Sequence, residues 1–241
     1  MIERTEIIVR SMKITQPLTF AFAADFHDGK VDEVLPLLHG CDAILIGGDL
    51  VHRHRRHGWH NALTFLHEAV KIAPTFYNIG NHERRLKDIN AYWPLAEQSG
   101  AVILDDSFVA FRGIVLGGLS SVLRDKDAPE RNSQLQAKRP FLADMASQGG
   151  FKLLLCHHPE LFPSLIRPYD IDLTLSGHAH GGQMRIGSQG LYSPGQGLLP
   201  KLTSGFYCGN RLFVSRGATN STFVPRFRCS CEIIQLKLQP E

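Results

Sequence analysis

Two histidines one residue apart, His178 and His180, are the first residues whose types and spacing indicate chemistry. They lie in the segment Ser-Gly-His-Ala-His-Gly-Gly at positions 176–182, directly after a short, mainly apolar run. The pattern predicts a strand that enters a tight loop, because glycine permits backbone angles that other residues avoid. Neutral imidazole is a common metal ligand, so this loop is a candidate ion site. The alternative is a pair of surface histidines without a chemical role.

Polar side chains also follow three earlier apolar runs, which we interpret as strands buried on both faces. The runs cover residues 18–24, 42–46 and 75–79, and the polar residues after them are Asp25 and His27, then Asp49, then Asn81, His82 and Glu83. In open α/β sheets, ligand-binding groups lie beyond the carboxyl ends of the strands. A single aspartate in such a position is equally well explained as a helix cap. The repetition after three strands favours one shared site.

A further buried strand, predicted over residues 151–156, ends at two histidines, His157 and His158. Pro159 follows them and restricts His158 to an extended conformation. We therefore predict that His157, the first residue beyond the apolar run, turns inward as a ligand.

The segment 51–60 is unusually basic, with four histidines and three arginines. Its positive charge could attract an anionic substrate, and Arg53, His54 and Arg56 are the candidate substrate-binding residues. The alternative is a solvated basic loop that precedes a helix. We assign no metal ligand within this segment, because no predicted strand fixes its side chains.

The elements that must position these residues predict an α/β fold. Strands and helices alternate up to about residue 99, and the closely spaced strands that follow indicate a second sheet packed against the first. Helices are predicted over 31–38, 61–71, 91–99 and 135–147 (the last interrupted near Pro140), strands over 101–104, 108–111, 114–116, 211–216 and 231–238, a loop over 120–133, and a hairpin turn over 207–211.

Composition limits the classes of function. With 241 residues and 43% hydrophobic content, the chain is expected to form one large α/β domain over residues 1–241. The net charge of +3 is too small to indicate nucleic-acid binding. Five widely spread cysteines do not predict a disulfide framework, and Cys229 and Cys231 lack partners at a zinc-finger spacing. The first ten residues contain no apolar run long enough for a signal peptide or membrane span, so a cytoplasmic location is expected.

The polar clusters together resemble the calcineurin-like metallophosphoesterase superfamily, whose five sequence blocks occur in the same order between about residues 20 and 182. The matching blocks are Asp25-Phe26-His27, Gly48-Asp49, Gly80-Asn81-His82-Glu83, His157 and Gly177-His178-Ala179-His180. The following residues, including Gly181-Gly182-Gln183 and Pro225-Arg226-Phe227, are similar to a bacterial branch of membrane- and cell-wall-associated phosphodiesterases. Many members of that branch begin with a membrane-spanning or export segment, which this sequence lacks, so their location does not carry over.

The resemblance implies a four-layer α/β/β/α sandwich of two mixed β-sheets flanked by helices, with a dinuclear metal site at the strand ends. It implies that two divalent ions bind, with Asp49 between them. The first ion would be held by Asp25, His27, Asp49 and His180, and the second by Asp49, Asn81, His157 and His178. Nitrogen and oxygen donors without thiolate suit manganese, which we expect first, with iron, zinc or nickel as alternatives.

The function implied is a metal-dependent phosphoesterase that cleaves phosphodiesters or phosphorylated lipid or envelope precursors, by attack of a hydroxide that bridges the ions. His82, beside Asn81 but not a ligand, would stabilise or protonate the leaving group. The alternatives are a phosphomonoesterase or protein phosphatase, and a non-catalytic metal-binding module on the same fold. Peripheral membrane contact is compatible with the sequence, since Leu198-Leu199-Pro200 and Phe206-Tyr207 could form an apolar lip near the site or, alternatively, belong to the core.

Overall fold

The structure is a computed structural model that describes residues 2–54, 59–122, 129–220 and 224–241, with the backbone alone for Pro129 and Glu130. Its described residues form two six-stranded sheets packed face to face, with helices on both outer faces. This arrangement is the four-layer α/β/β/α sandwich, so the fold predicted from the sequence is confirmed.

Sixteen strands are present in the described residues. They are β1 (Ile2–Arg10), β2 (Leu18–Ala23), β3 (Ala43–Ile46), β4 (Thr75–Asn78), β5 (Val102–Leu104), β6 (Ser107–Phe111), β7 (Ile114–Leu119), β8 (Phe151–Cys156), β9 (Leu173–Ser176), β10 (Arg185–Ile186), β11 (Gln189–Gly190), β12 (Tyr192–Ser193), β13 (Gly197–Leu198), β14 (Gly205–Tyr207), β15 (Leu212–Val214) and β16 (Cys231–Gln239). The four short strands β10 to β13 form two small hairpins outside the main sheets.

Helices occupy the two outer layers. They are α1 (Val31–Val34), α2 (His60–Ile72), α3 (Asn81–Arg84), α4 (Ile89–Gln98), α5 (Pro129–Ala137) and α6 (Arg139–Ser147), with 3-10 turns at Leu35–Leu37 and His180–Gly182 and a π-helical turn at Phe162–Ile166. A membrane-spanning helix needs about 20 apolar residues. Across the ranges that the structure covers, no helix is long and apolar enough to cross a bilayer.

The order of the strands brings several carboxyl ends to one edge of the sandwich. In the first sheet the order is β1-β16-β2-β3-β4-β5, and β2 to β5 run parallel. In the second sheet the order is β14-β15-β9-β8-β7-β6, and β7, β8, β9 and β15 run parallel. The loops after β2, β3, β4, β8 and β9 therefore leave the two sheets where side chains from both can meet.

Packing on both faces of the inner strands explains why their sequences have no polar face. In β2, Phe20 and Phe22 point into the core between the sheets. The alternate residues Ala21 and Ala23 instead pack against the layer of α1, α2 and α4. Because successive side chains point to opposite faces of a strand, a strand with a core on each side must be apolar throughout.

Most elements expected from the sequence are present. Helices α2 and α4 cover the predicted helices, and α5 and α6 meet at Lys138, close to the interruption expected near Pro140. The predicted hairpin is formed by β14 and β15, and Gly209 and Asn210 at its tip both have positive φ.

Three departures have local or long-range causes. The loop predicted over 120–133 is wrong at its end, where α5 begins at Pro129, while residues 123–128 lie outside the described part. The helix predicted over 31–38 is only α1 and a 3-10 turn, because Pro36 has no N–H to continue an α-helix. Strand β1 was not predicted, and it forms by pairing in parallel with β16, more than 200 residues away.

Candidate metal centre

The loops at the carboxyl ends of five strands bring the predicted ligands into one buried site. Strands β2, β3 and β4 from the first sheet, and β8 and β9 from the second, lead into it. The side chains concerned are Asp25, His27, Asp49, Asn81, His157, His178 and His180, each at most 6% exposed. A direct link between the sheets is made by the backbone N–H of His178, which donates to the carboxylate of Asp25 at 2.9 Å.

One group of ligand atoms comes from Asp25, His27 and His180, and these atoms lie within 4.8 Å of one another. Asp25 Oδ1 is 3.8 Å from His27 Nε2 and 3.6 Å from His180 Nε2. These separations are too long for hydrogen bonds. They are compatible with groups that contact a common ion through bonds of about 2.0–2.2 Å.

A second group comes from Asp49, His157 and His178, again with ligand atoms within 4.8 Å. His157 Nδ1 lies 2.8 Å from the carbonyl oxygen of Gly47, to which it can donate, and this leaves Nε2 facing Asp49 Oδ2 at 3.0 Å. A hydrogen bond of this kind orients a ligating imidazole and fixes its tautomer. Asp49 Oδ2 is also 3.9 Å from His27 Nε2, so Asp49 lies between the two groups.

Two of the described buried side chains each have a polar atom that an ion would satisfy. Both ring nitrogens of His27 and Oδ1 of Asn81 have no hydrogen-bond partner among the described residues. Buried polar atoms in proteins almost always have a partner. Asn81 begins α3, whose next residue, His82, donates its backbone N–H to Asp49 Oδ1 at 2.8 Å. The donor set and its unpartnered atoms therefore fit hard or intermediate divalent ions.

The backbone of the site is strained at five of these positions. The φ angles of Asp25, His27, Asp49, His178 and His180 lie between 47° and 64°. Residues other than glycine adopt this left-handed region rarely, at a cost of roughly 1–3 kcal/mol when the surroundings impose it. The backbone therefore turns sharply after each of these strands, and the turns direct the ligand side chains toward each other.

Glu83 holds two of these strand ends together. Its buried carboxylate accepts backbone N–H groups from Asp49 at 2.9 Å, Leu50 at 2.7 Å, Val51 at 3.2 Å and Gly80 at 2.8 Å. Burial, followed by the nearby charge of Asp49, raises the pKa of Glu83 to about 7. The sequence pattern contains Glu83 but gave it no role, because its four partners cannot be read from the order of residues.

Asp28 makes a similar connection for the basic segment 51–60, and this role could not be predicted from the sequence either. Its carboxylate accepts the backbone N–H of His52 at 3.1 Å and that of Ala62, in the first turn of α2, at 3.1 Å. The amide of Asn61 donates to the carbonyl oxygens of Asp28 and Gly29. The start of α2 and the segment around His52 are thus tied to the loop that carries His27.

His82 lies at the edge of the site in a defined protonation state. Its ring centroid is 4.5 Å from that of His27, and its Nε2 is 4.0 Å from Asp49 Oδ2. The backbone N–H of Arg53 donates to His82 Nδ1 at 3.2 Å, so the proton of the neutral ring is on Nε2. Burial lowers the pKa of His82 to about 4 despite Asp49, helped by His52 and Arg53.

The three predicted substrate-binding residues are only partly covered by the structure. Arg53 lies beside His82 through its backbone, and its Nε donates to Nε2 of the exposed His54 at 2.8 Å. Arg56 lies outside the described residues.

Ion binding should depend on pH because of His157. Burial opposes protonation of its ring, but the charge and hydrogen bond of Asp49 outweigh it and raise the pKa of His157 to about 10. Burial lowers the pKa of His27 and His180, so these ligands are already neutral near pH 7. His157 must lose a proton to bind an ion, so affinity is expected to rise about tenfold per pH unit between pH 7 and pH 9. Titration calorimetry at several pH values measures this, and a constant affinity would contradict it.

Comparison with known proteins places this site in a family. The family model described as Calcineurin-like phosphoesterase matches residues 18–182, which include all seven ligand candidates and His82. The chain is 27% identical to the uncharacterized protein YpbG of Bacillus subtilis, over 77% of this chain and 70% of that protein. It is 30% identical to an uncharacterized metallophosphoesterase of Helicobacter pylori, over 90% of this chain and 56% of the relative. It is 28% identical to the uncharacterized metallophosphoesterase Cj0846 of Campylobacter jejuni, over 87% of this chain and 54% of the relative.

The chain spans little more than half the length of the Helicobacter and Campylobacter relatives. The family match covers the five strand ends from Asp25 to His180, and it coincides with the buried cluster of histidine and carboxylate side chains. The chain belongs to the calcineurin-like phosphoesterase family.

Proposed function

We propose that this chain hydrolyses phosphodiesters at the candidate metal centre, with two divalent ions bound. The observation that carries the proposal is the position of Asp49 between two adjacent groups of buried ligand atoms, which also approach each other where Asp25 Oδ1 lies 3.7 Å from His157 Nε2. One group is Asp25, His27 and His180, and the other is His157 and His178. A carboxylate between two such groups can contact both ions at once.

Asp25, His27, Asp49 and His180 would hold one ion, and Asp49, Asn81, His157 and His178 the other. The ions would supply Lewis-acid polarisation of a phosphoryl oxygen and an activated water. The chain itself holds the ligands in place: Glu83 fixes the backbone around Asp49, and the Gly47 carbonyl oxygen orients His157. Such orienting contacts typically change ion affinity or activity by about 10–100-fold when they are removed.

His82 is proposed to donate a hydrogen bond from Nε2 to an oxygen of the substrate. A full proton transfer from this nitrogen would leave an imidazolate, because Nδ1 accepts the N–H of Arg53 and carries no proton. The low pKa of His82, about 4, also favours the neutral ring. Of the two roles considered from the sequence, stabilisation of the leaving group is therefore the better supported.

The phosphodiester preference rests on the resemblance of Gly181-Gly182-Gln183 and Pro225-Arg226-Phe227 to a branch of phosphodiesterases. A diester carries one negative charge, whereas a monoester carries up to two at neutral pH. The side chains near the ligands include the neutral His82 and the guanidinium of Arg226. This guanidinium donates to the carbonyl oxygens of Arg216 and Thr219. The proposed ions and the basic residues of segment 51–60 would add further positive charge, so the two classes of ester are distinguished by comparing their hydrolysis directly.

The proposal is tested with bis-p-nitrophenyl phosphate and p-nitrophenyl phosphate, using protein whose ion content has been measured. We expect hydrolysis with Mn²⁺ and faster turnover of the diester. If the protein hydrolysed neither compound when its ion sites were fully occupied by manganese, iron, zinc or nickel, the proposal that it is an enzyme would be wrong. The remaining interpretation would be a metal-binding module. Faster turnover of the monoester would refute the diester preference alone.

Replacement of His82 by alanine should lower kcat by about 10²–10³-fold, the usual effect of removing one hydrogen-bond donor from a preorganised site. Ion content should not change, because His82 is not among the proposed ligands. His82→Gln, which retains a side-chain N–H, should recover part of the rate. The matched control is His67→Ala, on an exposed position of α2. An unchanged kcat in His82→Ala would show that the assignment is wrong.

A further inference from the structure

A small apolar cavity opens directly beside the candidate metal centre. Its volume is about 130 Å³, and one of its walls is His180, a proposed ion ligand. The other side chains that matter for its chemistry are Met184, Leu191, Tyr192 and Val224. A group bound in this cavity would therefore lie next to a phosphate held at the ions.

The rim of the cavity continues into exposed apolar side chains. Tyr192 is 51% exposed and Val224 48%, although both line the cavity. Strand β12 pairs Tyr192 with Leu198, which is 82% exposed, and the neighbouring Leu199 is 66% exposed. On the other side, Met184 bridges to Phe227, which is 53% exposed. Exposed apolar residues grouped in this way mark binding surfaces more often than residues scattered singly.

Residues 181–231 carry positive charge, although Arg216 forms ion pairs with Glu3 and Glu232 from outside this segment. Residues 181–231 contain no aspartate or glutamate, and they contain the six basic residues Arg185, Lys201, Arg211, Arg216, Arg226 and Arg228. Nη2 of Arg226 lies 3.4 Å from Nδ1 of His180, so one positive charge lies beside the residue that the cavity and the proposed ion site share. Lys201 and Arg228 are exposed beside the apolar rim. An apolar cavity within a cationic surface is complementary to an anionic molecule with a hydrocarbon part.

We propose that the cavity binds the hydrocarbon substituent of an amphiphilic phosphoester whose phosphate lies at the metal centre. The inference rests on the proposed function for the identity of the phosphate site. The cavity accommodates the first few methylene groups next to the phosphate, and the remainder of a longer chain lies across the rim formed by Tyr192, Leu198 and Val224. The substrate class is thus a lipid-like phosphodiester.

The test uses p-nitrophenyl phosphodiesters whose second ester group is methyl, butyl or octyl, below their micellar concentrations. kcat/KM is expected to rise by about fourfold for each methylene group that enters the cavity, and then to level off as the chain reaches the rim. Hydrolysis of the methyl ester reports on the metal centre alone. A kcat/KM that does not change from methyl to octyl would overturn the inference and leave the proposed function intact.

Two variants and a control localise the effect. Val224→Asp places a carboxylate at the cavity, and Tyr192→Ser removes one wall, so both should abolish the dependence on chain length while turnover of the methyl ester is retained. Ile186→Asp alters a residue that is 67% exposed but does not line the cavity, and it should behave like the wild type. If Ile186→Asp and Val224→Asp reduced the dependence equally, the whole surface rather than the cavity would be responsible, and the inference would be wrong.

A binding measurement separates this inference from catalysis. Calorimetry with methylphosphonate and octylphosphonate on the ion-loaded protein requires no turnover. Tighter binding of octylphosphonate that is lost in Val224→Asp supports the cavity even if no diester is hydrolysed, in which case only the proposed function fails. Equal binding of the two phosphonates would overturn the inference even in an active enzyme.

Discussion

Asp49→Asn is expected to abolish activity and to lower the ion content of the protein. Asp49 Oδ2 lies 3.0 Å from His157 Nε2 and 3.9 Å from His27 Nε2. These two histidines belong to different ligand groups. Burial opposes its charge, but His157 and His82 outweigh that effect and hold the pKa of Asp49 well below its usual range. Asparagine would remove this negative charge from between the two proposed cations. We expect kcat/KM to fall by roughly 10⁴-fold or more, the scale for a residue in a cooperative catalytic unit.

The fold should survive this substitution, which allows the loss to be attributed to the ions. The oxygen of asparagine can still accept the backbone N–H of His82, as Asp49 Oδ1 does at 2.8 Å. The control is Asp32→Asn, at an exposed position in the first turn of α1. Metal analysis and circular dichroism of both variants provide the measurement. An Asp49→Asn protein with two ions per chain would refute the bridging role.

The same residues show what could be predicted from the sequence. The strands that lead to Asp25, Asp49 and His157 are apolar on both faces, so they were recognisable as buried strands. Once the strands are fixed, parallel pairing places their carboxyl ends at one edge, and the polar residue after each must lie there. His157 was distinguished from His158 by Pro159, and in the structure His157 Nε2 faces Asp49 Oδ2.

The supporting contacts were not predictable because they depend on pairs far apart in the chain. Asp28 joins Ala62, 34 residues away, and Glu83 joins Leu50, 33 residues away. The local pattern includes Glu83 in the block Gly80-Asn81-His82-Glu83, but it does not show which groups either carboxylate contacts. The cavity beside His180 could not be predicted either, because the residues that line it come from separate loops whose sequences show no helix or strand periodicity.

The contacts of Glu83 stabilise the strained backbone of the proposed ligand Asp49. The left-handed backbone of Asp49 at φ 54° persists because Glu83 accepts the N–H groups of Asp49 and of the two residues that follow it. Ion binding would add to this constraint and stabilise the folded state, since a ligand at 1,000 times its dissociation constant contributes about 4 kcal/mol. Stability and ion binding should therefore be lost together when the contact between the ends of β3 and β4 is disturbed.

Gly80→Ala disturbs that contact directly and is the second change with a large expected effect. A Cβ atom at position 80 would lie 2.3 Å from both the backbone nitrogen and Oδ1 of Asp49, and 2.8 Å from Glu83 Oε2. The backbone of Asp49 cannot yield as the end of a flexible side chain would, so Asp49 itself must move. A displacement of about 1 Å in a catalytic group costs on the order of 10²-fold in rate. We expect at least this loss in kcat/KM, and about 1–3 kcal/mol less free energy of unfolding from overpacking.

Gly149→Ala is the matched control for Gly80→Ala. A Cβ atom at position 149 meets no atom within 4 Å, and Gly149 has no positive φ. Alanine there should leave ion binding and kcat/KM unchanged, and it should stabilise the protein slightly, by about 0.4–1 kcal/mol, because it restricts the unfolded chain. Denaturant unfolding and ion titration of the two variants, side by side, provide the measurement. If Gly80→Ala bound ions and unfolded like Gly149→Ala, the close approach of Gly80 to Asp49 would have no part in building the site.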